Sequence, residues 1–187
     1  IIPFELPLNG AQLFLIDSKV KHNLASSAYN ERRASMELAW ELAQVLFPNL
    51  KNWRDLKPTE LARLNSNLDA TTQNRLRYVI EEIARVQAVQ KLANELALLS
   101  PDQNPEALLA QLGAYLNQTH EGLRDLYEVS CRELDFLQDE IRAQKCVYGA
   151  RMMGGGFGGC LLVLAHASFS ISTTIALIAD RYQKEFD

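Results

Sequence analysis

The sequence is poor in cysteine, with three in 187 residues, and none of them stands in a C-x-x-C pair. No histidine pair with metal-ligand spacing lies near them, which argues against a disulfide scaffold and a structural zinc site. The three are expected in a helix, at a strand entry and in a strand: Cys131, Cys146 and Cys160. We predict that all three are reduced residues in the core of a cytoplasmic protein.

Runs of positive charge are also missing, because the 19 Lys and Arg residues are interspersed with 23 Asp and Glu residues, for a formal net charge of -4. No segment can therefore neutralise a nucleic-acid backbone or an anionic membrane surface, and neither is an expected partner. No apolar stretch reaches the roughly 20 residues that a membrane span needs. The sequence also lacks the charged segment followed by an apolar segment that would indicate export, so we predict a cytoplasmic location.

What the sequence does contain is enough apolar material for one compact domain, since 48% of its residues are hydrophobic and 22% are charged. The chain opens at Ile1 and not at a methionine, and it stops at Asp187 inside a predicted helix. We therefore expect residues 1–187 to be one domain of a longer protein.

Strands are predicted near both ends of the chain, with helices between them. Residues 12–17 (QLFLID) follow a turn at Asn9-Gly10 and form a predicted buried strand, with residues 1–6 as its candidate hairpin partner. Helical periodicity, prolines and capping signals predict helices at residues 26–47, from 58, and at 71–99, 106–129, 131–143 and 168–186. Two further strands are predicted at 147–152 and 160–165. This order favours an α+β fold, with an antiparallel sheet covered on one face by helices.

The predicted helices carry finer features. In the first, Tyr29 lies on the apolar face, while charged residues that include Arg32 are expected on the other faces. Ser130 and Glu133 form a predicted capping box for the helix that ends near residue 143. The third helix has an apolar stripe that is expected to face the core: Leu76, Val79, Ile83, Val86, Val89, Leu92 and Leu96.

Glycine is concentrated at residues 154–159 (GGGFGG), which hold five of the nine glycines of the chain. Glycine costs backbone entropy on folding, so such a run indicates that the backbone closely approaches something. The spacing fits G-x-G-x-x-G, but a dinucleotide site needs a helix after the loop, and here the strand CLLVLA follows. No Lys-Ser or Lys-Thr follows the last glycine, which argues against a P-loop. A tightly packed hairpin and a nest of amides beside a phosphate both stay open.

Residues 149–160 (GARMMGGGFGGC) resemble the third conserved motif of the GHMP small-molecule kinases, in the form that galactokinases have. Residues 17–22 (DSKVKH) and 24–33 (LASSAYNERR) resemble the galactokinase stretch that opens the C-terminal domain, and residues 123–130 (LRDLYEVS) resemble a third galactokinase block. The blocks follow one another in the family's order and spacing. The chain is identified as a member of this family, with residues 1–187 as its C-terminal domain.

The resemblance implies a complete enzyme that uses ATP and Mg²⁺ to phosphorylate galactose at its anomeric hydroxyl, giving galactose 1-phosphate. The family's first motif, of the Gly-Glu-His-Thr-Asp type, and the Ser-rich phosphate loop of its second motif have no counterpart here. An N-terminal sugar- and ATP-binding kinase domain is therefore the expected partner. Because the family's catalytic aspartate and arginine also belong to that half, no catalytic residue and no metal ligand is assigned here. The fragment alone is expected to be inactive.

The resemblance also implies roles for particular residues. Tyr29 matches the tyrosine that hydrogen-bonds galactose, although its periodicity alone would make it a helix-face aromatic. Lys21 stands where the family is basic and is a candidate nucleotide contact, with a solvated surface charge as the alternative. Met153 departs from the family, which usually has Thr there. The glycines expected to support the phosphate loop of the other domain are Gly154, Gly155, Gly156, Gly158 and Gly159.

Three other interpretations stay open. In the first, the complete protein is a kinase for N-acetylgalactosamine. In the second, it is a kinase-derived sensor that binds galactose and ATP without catalysis. In the third, this segment is an interaction module whose exposed cleft face self-associates. The residues that would separate a kinase from a sensor lie outside these 187 positions.

Overall fold

The computed structural model describes residues 6–20 and 25–186, which form three β-strands, six α-helices and a short 3-10 turn. No helix in this described part is long and apolar enough to cross a bilayer. Along the chain the elements are β1 (Ala11–Asp17), α1 (Ala25–Leu46), the 3-10 turn (Trp53–Asp55), α2 (Pro58–Asn65), α3 (Ala70–Ala97), α4 (Glu106–Asp125), α5 (Arg132–Arg142), β2 (Val147–Met153), β3 (Cys160–His166) and α6 (Ile171–Phe186).

The three strands form one antiparallel sheet in the order β1-β3-β2. β3 is the central strand, since Val163 pairs with Phe14 of β1 on one side and with Ala150 of β2 on the other. The first and last strands of the chain therefore meet in one sheet, with the helical block between them in sequence. The predicted α+β fold, an antiparallel sheet covered by helices, is confirmed.

One face of the sheet carries the main core. Leu161 and Val163 of β3, both fully buried, pack there with Leu137 and Ile141 of α5 and Ile178 of α6. Because side chains alternate along a strand, every second residue of β3 points to this face. The amphipathic helices α5 and α6 thus cover the sheet as its apolar alternation requires.

The opposite face is covered only in part. Leu164 of β3 is buried there with Leu92 of α3 and Leu112 of α4. Leu13 and Leu15 of β1 lie on the same face and are 42% and 49% exposed. The helices therefore cover more of the sheet than the single face expected from the sequence, but they leave the β1 side of the second face open.

Helix α4 covers the outer edge of β2. Asn117 Oδ1 accepts a hydrogen bond from the Ala150 amide at 3.0 Å, and Nδ1 of the fully buried His120 accepts one from the Met152 amide at 3.1 Å. The helix lies so close that a Cβ on Gly113 would overlap the backbone of β2. An edge strand with unpaired amides can pair with another chain, and α4 satisfies these two amides instead.

A second core positions α1. Ala43 of α1, Leu50, Leu64 of α2 and Leu76 of α3 are buried together. Beside them, Trp40 packs edge-on against the ring of Trp53, with centroids 4.9 Å apart. Helix α1 is thus fixed against α2 and α3 along one side, while its other side is free to line a cleft.

Two helices differ from the sequence prediction. In α3, Val86 of the predicted apolar stripe is 58% exposed, whereas Arg75 and Tyr78 are buried. The two ends of this helix pack on different cores, one with α1 and α2 and the other with α4 and the sheet, which leaves the middle of the stripe open. Helix α4 passes through Gly122 without a break and ends at Asp125, before the predicted residue 129.

The start of α5 and one cysteine also correct the prediction. The N-cap of α5 is Cys131, whose side chain makes no capping bond, and the Ser130 hydroxyl donates to Asp135 at 2.5 Å. The predicted capping box of Ser130 and Glu133 is therefore wrong. Cys146 is exposed, and Cys131 and Cys160 are only partly buried, so the prediction that all three cysteines are core residues is wrong for Cys146 and holds only in part for the other two. Residues 1–5 of the candidate hairpin lie outside the described residues.

Candidate functional site

The glycine-rich segment 154–159, hereafter the glycine loop, joins β2 to β3 along an unusual backbone path. φ is 91° at Gly156 and 130° at Gly158, and Phe157 between them also has a positive φ, 60°. Residues with a Cβ rarely adopt this region, because the side chain approaches the backbone carbonyl. The path therefore requires glycine at most positions of the loop.

The glycines differ in what surrounds them. A Cβ on Gly156 would overlap the carbonyl oxygen of Val129, and one on Gly158 would lie 2.9 Å from a carbonyl oxygen of the β1–α1 connection. A Cβ on Gly154 or Gly155 would meet no atom within 4 Å. The packing interpretation thus fits Gly156 and Gly158. Gly154 and Gly155 border open space, where a ligand can approach the backbone.

Two backbone segments hold the glycine loop. The Phe157 amide donates to the carbonyl oxygen of Val129, in the α4–α5 connection, at 2.7 Å. The Ser18 amide, just after β1, donates to the carbonyl oxygen of Gly159 at 2.9 Å. The carbonyl oxygen of Ser18 in turn accepts from the hydroxyl of Tyr182, on α6, at 2.6 Å. Anchors from both sides therefore fix the loop in one place.

A cleft of about 580 Å³ opens beside the glycine loop. Helix α1 forms one wall, and the end of α4 with the residues that follow it forms the other. A cleft of this volume is large enough for a sugar-sized ligand. The residues of the cleft on which the argument depends are Tyr29, Met36 and Trp40 of α1, Tyr127 of the opposite wall, and Gly154 and Gly155 of the loop.

Charged and phenolic groups stand on the largely apolar walls of the cleft. Arg33 pairs with Glu37 one turn later on α1, with Nε and Oε1 2.7 Å apart. The side chain of Tyr29 is accessible, since the residue is 54% exposed. A tyrosine hydroxyl is protonated at neutral pH, and burial raises the pKa of Tyr127 further, so this hydroxyl can donate a hydrogen bond.

The structure brings together some of the residues singled out in the sequence and separates others. Tyr29 lies on the same cleft as Gly154 and Gly155, although they come from opposite ends of the chain. Gly156 packs on backbone instead. Lys21, the candidate nucleotide contact, lies outside the described residues. Within residues 6–20 and 25–186, no three His, Cys, Asp or Glu side chains come close enough to hold a metal ion.

One residue of the site was missed in the sequence. Arg32 was expected on an outer face of α1, but its side chain is only 12% exposed, and Nη2 donates to the carbonyl oxygen of Glu128 at 2.6 Å. The adjacent pair Arg32-Arg33 carries no signal that tells which of the two is buried. Only the position of the α4–α5 connection, far along the chain, decides it.

Comparison with known proteins identifies the domain. Residues 105–179 match the family described as GHMP kinases C terminal. This match covers α4, α5, the whole of the β2–β3 hairpin with its glycine loop, and part of α6. Residues 105–179 therefore form a C-terminal domain of the GHMP-kinase type.

The proteins related to this chain include galactokinases. The chain is 41% identical over 160 residues to a galactokinase of Thermotoga petrophila, and 36% identical over 181 residues to one of Thermosipho africanus. These matches cover 86% and 97% of the chain. The crystal structure of Lactococcus lactis galactokinase complexed with galactose superimposes with a TM-score of 0.82 at 28% identity, over 96% of the chain. The chain is thus homologous to galactokinases.

The chain spans less than half the length of these relatives. It covers 40% of the Thermotoga petrophila protein, 46% of the Thermosipho africanus protein and 43% of the Lactococcus lactis chain.

Proposed function

We propose that this domain forms the C-terminal side of the substrate cleft of a galactokinase, which transfers the γ-phosphoryl group of ATP to the anomeric hydroxyl of galactose. The observation that carries the proposal is the cleft itself. It places Tyr29, the candidate sugar contact, and Gly154 and Gly155, the open end of the glycine loop, around one space of about 580 Å³. A sugar and a phosphate group must lie side by side in such a reaction.

In this proposal Tyr29 binds and orients the sugar. Its phenol is exposed in the cleft, so its hydroxyl can donate to or accept from a sugar hydroxyl while its ring packs against the apolar edge of the sugar. Met36 and Trp40 lie on the same side of α1 and supply further apolar surface. Such a contact holds the anomeric hydroxyl in place but transfers no proton itself.

The glycine loop serves the phosphate side of the cleft. With no side chain at Gly154 or Gly155, the backbone can approach a phosphate group or a second domain that carries one. Lys21 is proposed as an additional cation near the nucleotide. No three His, Cys, Asp or Glu side chains among the described residues lie close enough to hold a metal ion together, and no Mg²⁺ ligand is proposed on this domain. The groups that deprotonate the sugar hydroxyl are assigned to the N-terminal kinase domain, and the isolated segment is proposed to be inactive.

The experiment that tests the proposal measures galactose-dependent ADP release by the full-length protein, with N-acetylgalactosamine as the competing sugar. Tyr29→Phe should raise the KM for galactose about five-fold, as expected for the loss of one hydrogen bond worth about 1 kcal/mol. Tyr115→Phe, on α4 outside the cleft, is the matched control and should leave KM unchanged.

The outcomes separate the alternative functions. If the full-length protein turns over N-acetylgalactosamine faster than galactose, N-acetylgalactosamine replaces galactose as the proposed substrate. Galactose binding measured by calorimetry, without ADP release from purified full-length protein, would favour a sensor and overturn the kinase proposal. An unchanged KM in Tyr29→Phe would remove Tyr29 from the sugar site.

A further inference from the structure

Arg32 lies on α1 one turn after Tyr29, and its side chain is only 12% exposed. A largely buried guanidinium must have acceptors for its N–H groups, because an unpaired buried charge is costly. The positions of those acceptors show which parts of the molecule the arginine joins.

Three backbone carbonyl oxygens accept hydrogen bonds from Arg32. Nη1 donates to Ala28, within α1, at 3.3 Å. Nε donates to Tyr127 at 3.4 Å, and Nη2 donates to Glu128 at 2.6 Å. The last two acceptors belong to the opposite wall of the cleft. Arg32 therefore ties the helix that carries Tyr29 to the α4–α5 connection.

The acceptor residue Glu128 has a strained backbone, with a φ of 56°. Its Oε2 atom lies 3.2 Å from Nη2 of Arg75, a buried residue of α3, and 4.0 Å from Nη2 of Arg32. A backbone in this region persists only when its surroundings hold it there. Arginines from α1 and α3 supply that restraint, one mainly on the carbonyl group and the other on the carboxylate.

The restraint passes directly to the glycine loop. Val129, the residue after Glu128, accepts the hydrogen bond from the Phe157 amide at 2.7 Å. Cζ of Arg32 also lies 5.4 Å from the centre of the Phe157 ring, within the range of a cation–π contact. Arg32 thus reaches the loop by two routes, through the backbone of the connection and through the ring of Phe157.

We infer that Arg32 is a positioning residue, which holds the glycine loop in a fixed place relative to Tyr29 on the other side of the cleft. Its effect on catalysis rests on the proposed function, whereas its effect on the loop does not. Lysine cannot replace it fully, because a single ammonium group lacks the planar fork that serves several carbonyl groups at once.

Amide hydrogen exchange in the full-length protein tests the effect on the loop. Arg32→Met keeps an unbranched side chain but removes the charge and the donors, and it should speed exchange of the Phe157 amide about ten-fold or more. The Val163 amide, in the central strand, should exchange as in the wild type. Arg32→Lys should fall between the two. Arg63→Ala, which removes an arginine 5.6 Å from the ring of Phe47, is the matched control and should leave Phe157 unaffected.

A purely structural role gives a different result. If Arg32→Met speeds exchange of Phe157 and Val163 by the same factor, the arginine only stabilises the whole domain and the inference fails. Unchanged exchange at Phe157 would also overturn it.

Steady-state kinetics test the consequence for the reaction. Arg32→Met should lower kcat about ten-fold, while the KM for galactose stays within about two-fold, since Tyr29 itself is intact. A normal kcat in Arg32→Met, together with fast exchange at Phe157, would show that phosphoryl transfer does not depend on how firmly Arg32 holds the loop. That result would overturn the inferred effect of Arg32 on catalysis. If the wild-type protein releases no ADP with galactose, the proposed function fails, and the exchange experiment still decides whether Arg32 holds the loop.

Discussion

The amide of Phe157 donates to the carbonyl oxygen of Val129 at 2.7 Å, in the place where a side chain on the preceding residue would collide with that same carbonyl group. The glycine loop thus packs tightly against the α4–α5 connection at Gly156, whereas Gly154 and Gly155 border open space. Neighbouring glycines of the loop therefore differ in role. Gly156 allows close packing, whereas Gly154 and Gly155 leave the backbone accessible to a ligand.

Substitutions of neighbouring glycines test this division. Gly156→Ala should lower the free energy of unfolding by about 1–3 kcal/mol, because the new Cβ overlaps backbone and the φ of 91° disfavours any side chain. Gly155→Ala should change it by less than about 0.5 kcal/mol, because a Cβ there meets no atom within 4 Å. Urea denaturation of both variants measures the difference.

For Gly155 we expect substitution to affect activity and not stability. Because Gly155 lines the cleft and a Cβ there would occupy open space, Gly155→Ala should reduce sugar phosphorylation by the full-length protein while its stability stays normal. If Gly155→Ala is as unstable as Gly156→Ala, or if it is fully active, the assignment of the open glycines to a ligand is wrong.

The contact between α4 and β2 gives a second prediction, at Gly113. In a solvent-exposed helix, replacing glycine by alanine stabilises by about 1 kcal/mol. Here the new Cβ would overlap the backbone of Tyr148, so Gly113→Ala should destabilise by about 1–3 kcal/mol or more. Gln111→Ala, exposed on the same helix, is the control and should stay within about 0.5 kcal/mol of the wild type. A stabilised Gly113→Ala protein would contradict the close packing of α4 on β2.

Periodicity and turn signals predicted most elements of the fold, because each depends on residues that are neighbours in sequence. They failed where distant contacts decide. Val86 has the helical spacing of a core residue but is 58% exposed in the middle of α3. Arg32 has the charge of a surface residue, but its side chain is largely covered by a connection that lies 96 residues away.

The candidate site was predictable only through resemblance. No local pattern connects Tyr29 with Gly154, since the strand order β1-β3-β2 and the placement of α1 bring them to one cleft. The glycine run indicated close approach, but its spacing could not separate packing glycines from open ones. That separation depends on the carbonyl oxygens of Val129 and of the β1–α1 connection, which are distant from the loop in sequence. The roles of Tyr29, Lys21 and the loop stay predictions.

Cysteine reactivity gives a third prediction. Burial raises the pKa of the Cys131 thiol to about 11, so only about one molecule in a thousand carries its thiolate at pH 8. Cys146 is exposed and should react first with a disulfide reagent followed by absorbance. Cys146→Ser should remove the fast phase, whereas Cys131→Ser should keep it. A fast phase that disappears with Cys131 would show that this thiol is accessible and ionised.

The start of α3 gives a prediction for acid stability. Asp69 is the N-cap of α3, with Oδ2 accepting from the Thr72 hydroxyl at 2.6 Å and Oδ1 accepting from the Thr72 amide at 3.0 Å. These two hydrogen bonds lower the pKa of the Asp69 carboxyl below its ordinary value of 3.8. The bond from the hydroxyl contributes most, and the bond from the amide contributes next. A carboxylate whose pKa is lowered by folding stabilises the protein fully above its unfolded pKa. That contribution is lost as the pH falls through the folded pKa.

Asp69→Asn isolates this contribution, because asparagine keeps an acceptor oxygen for the cap but does not titrate. The wild-type protein should be more stable than Asp69→Asn at about pH 6, and the difference should shrink as the pH is lowered to about 3. Urea denaturation at both pH values measures it. A difference that grows towards low pH would mean that the Asp69 carboxyl is protonated more easily in the folded protein, opposite to what its two bonds from Thr72 require.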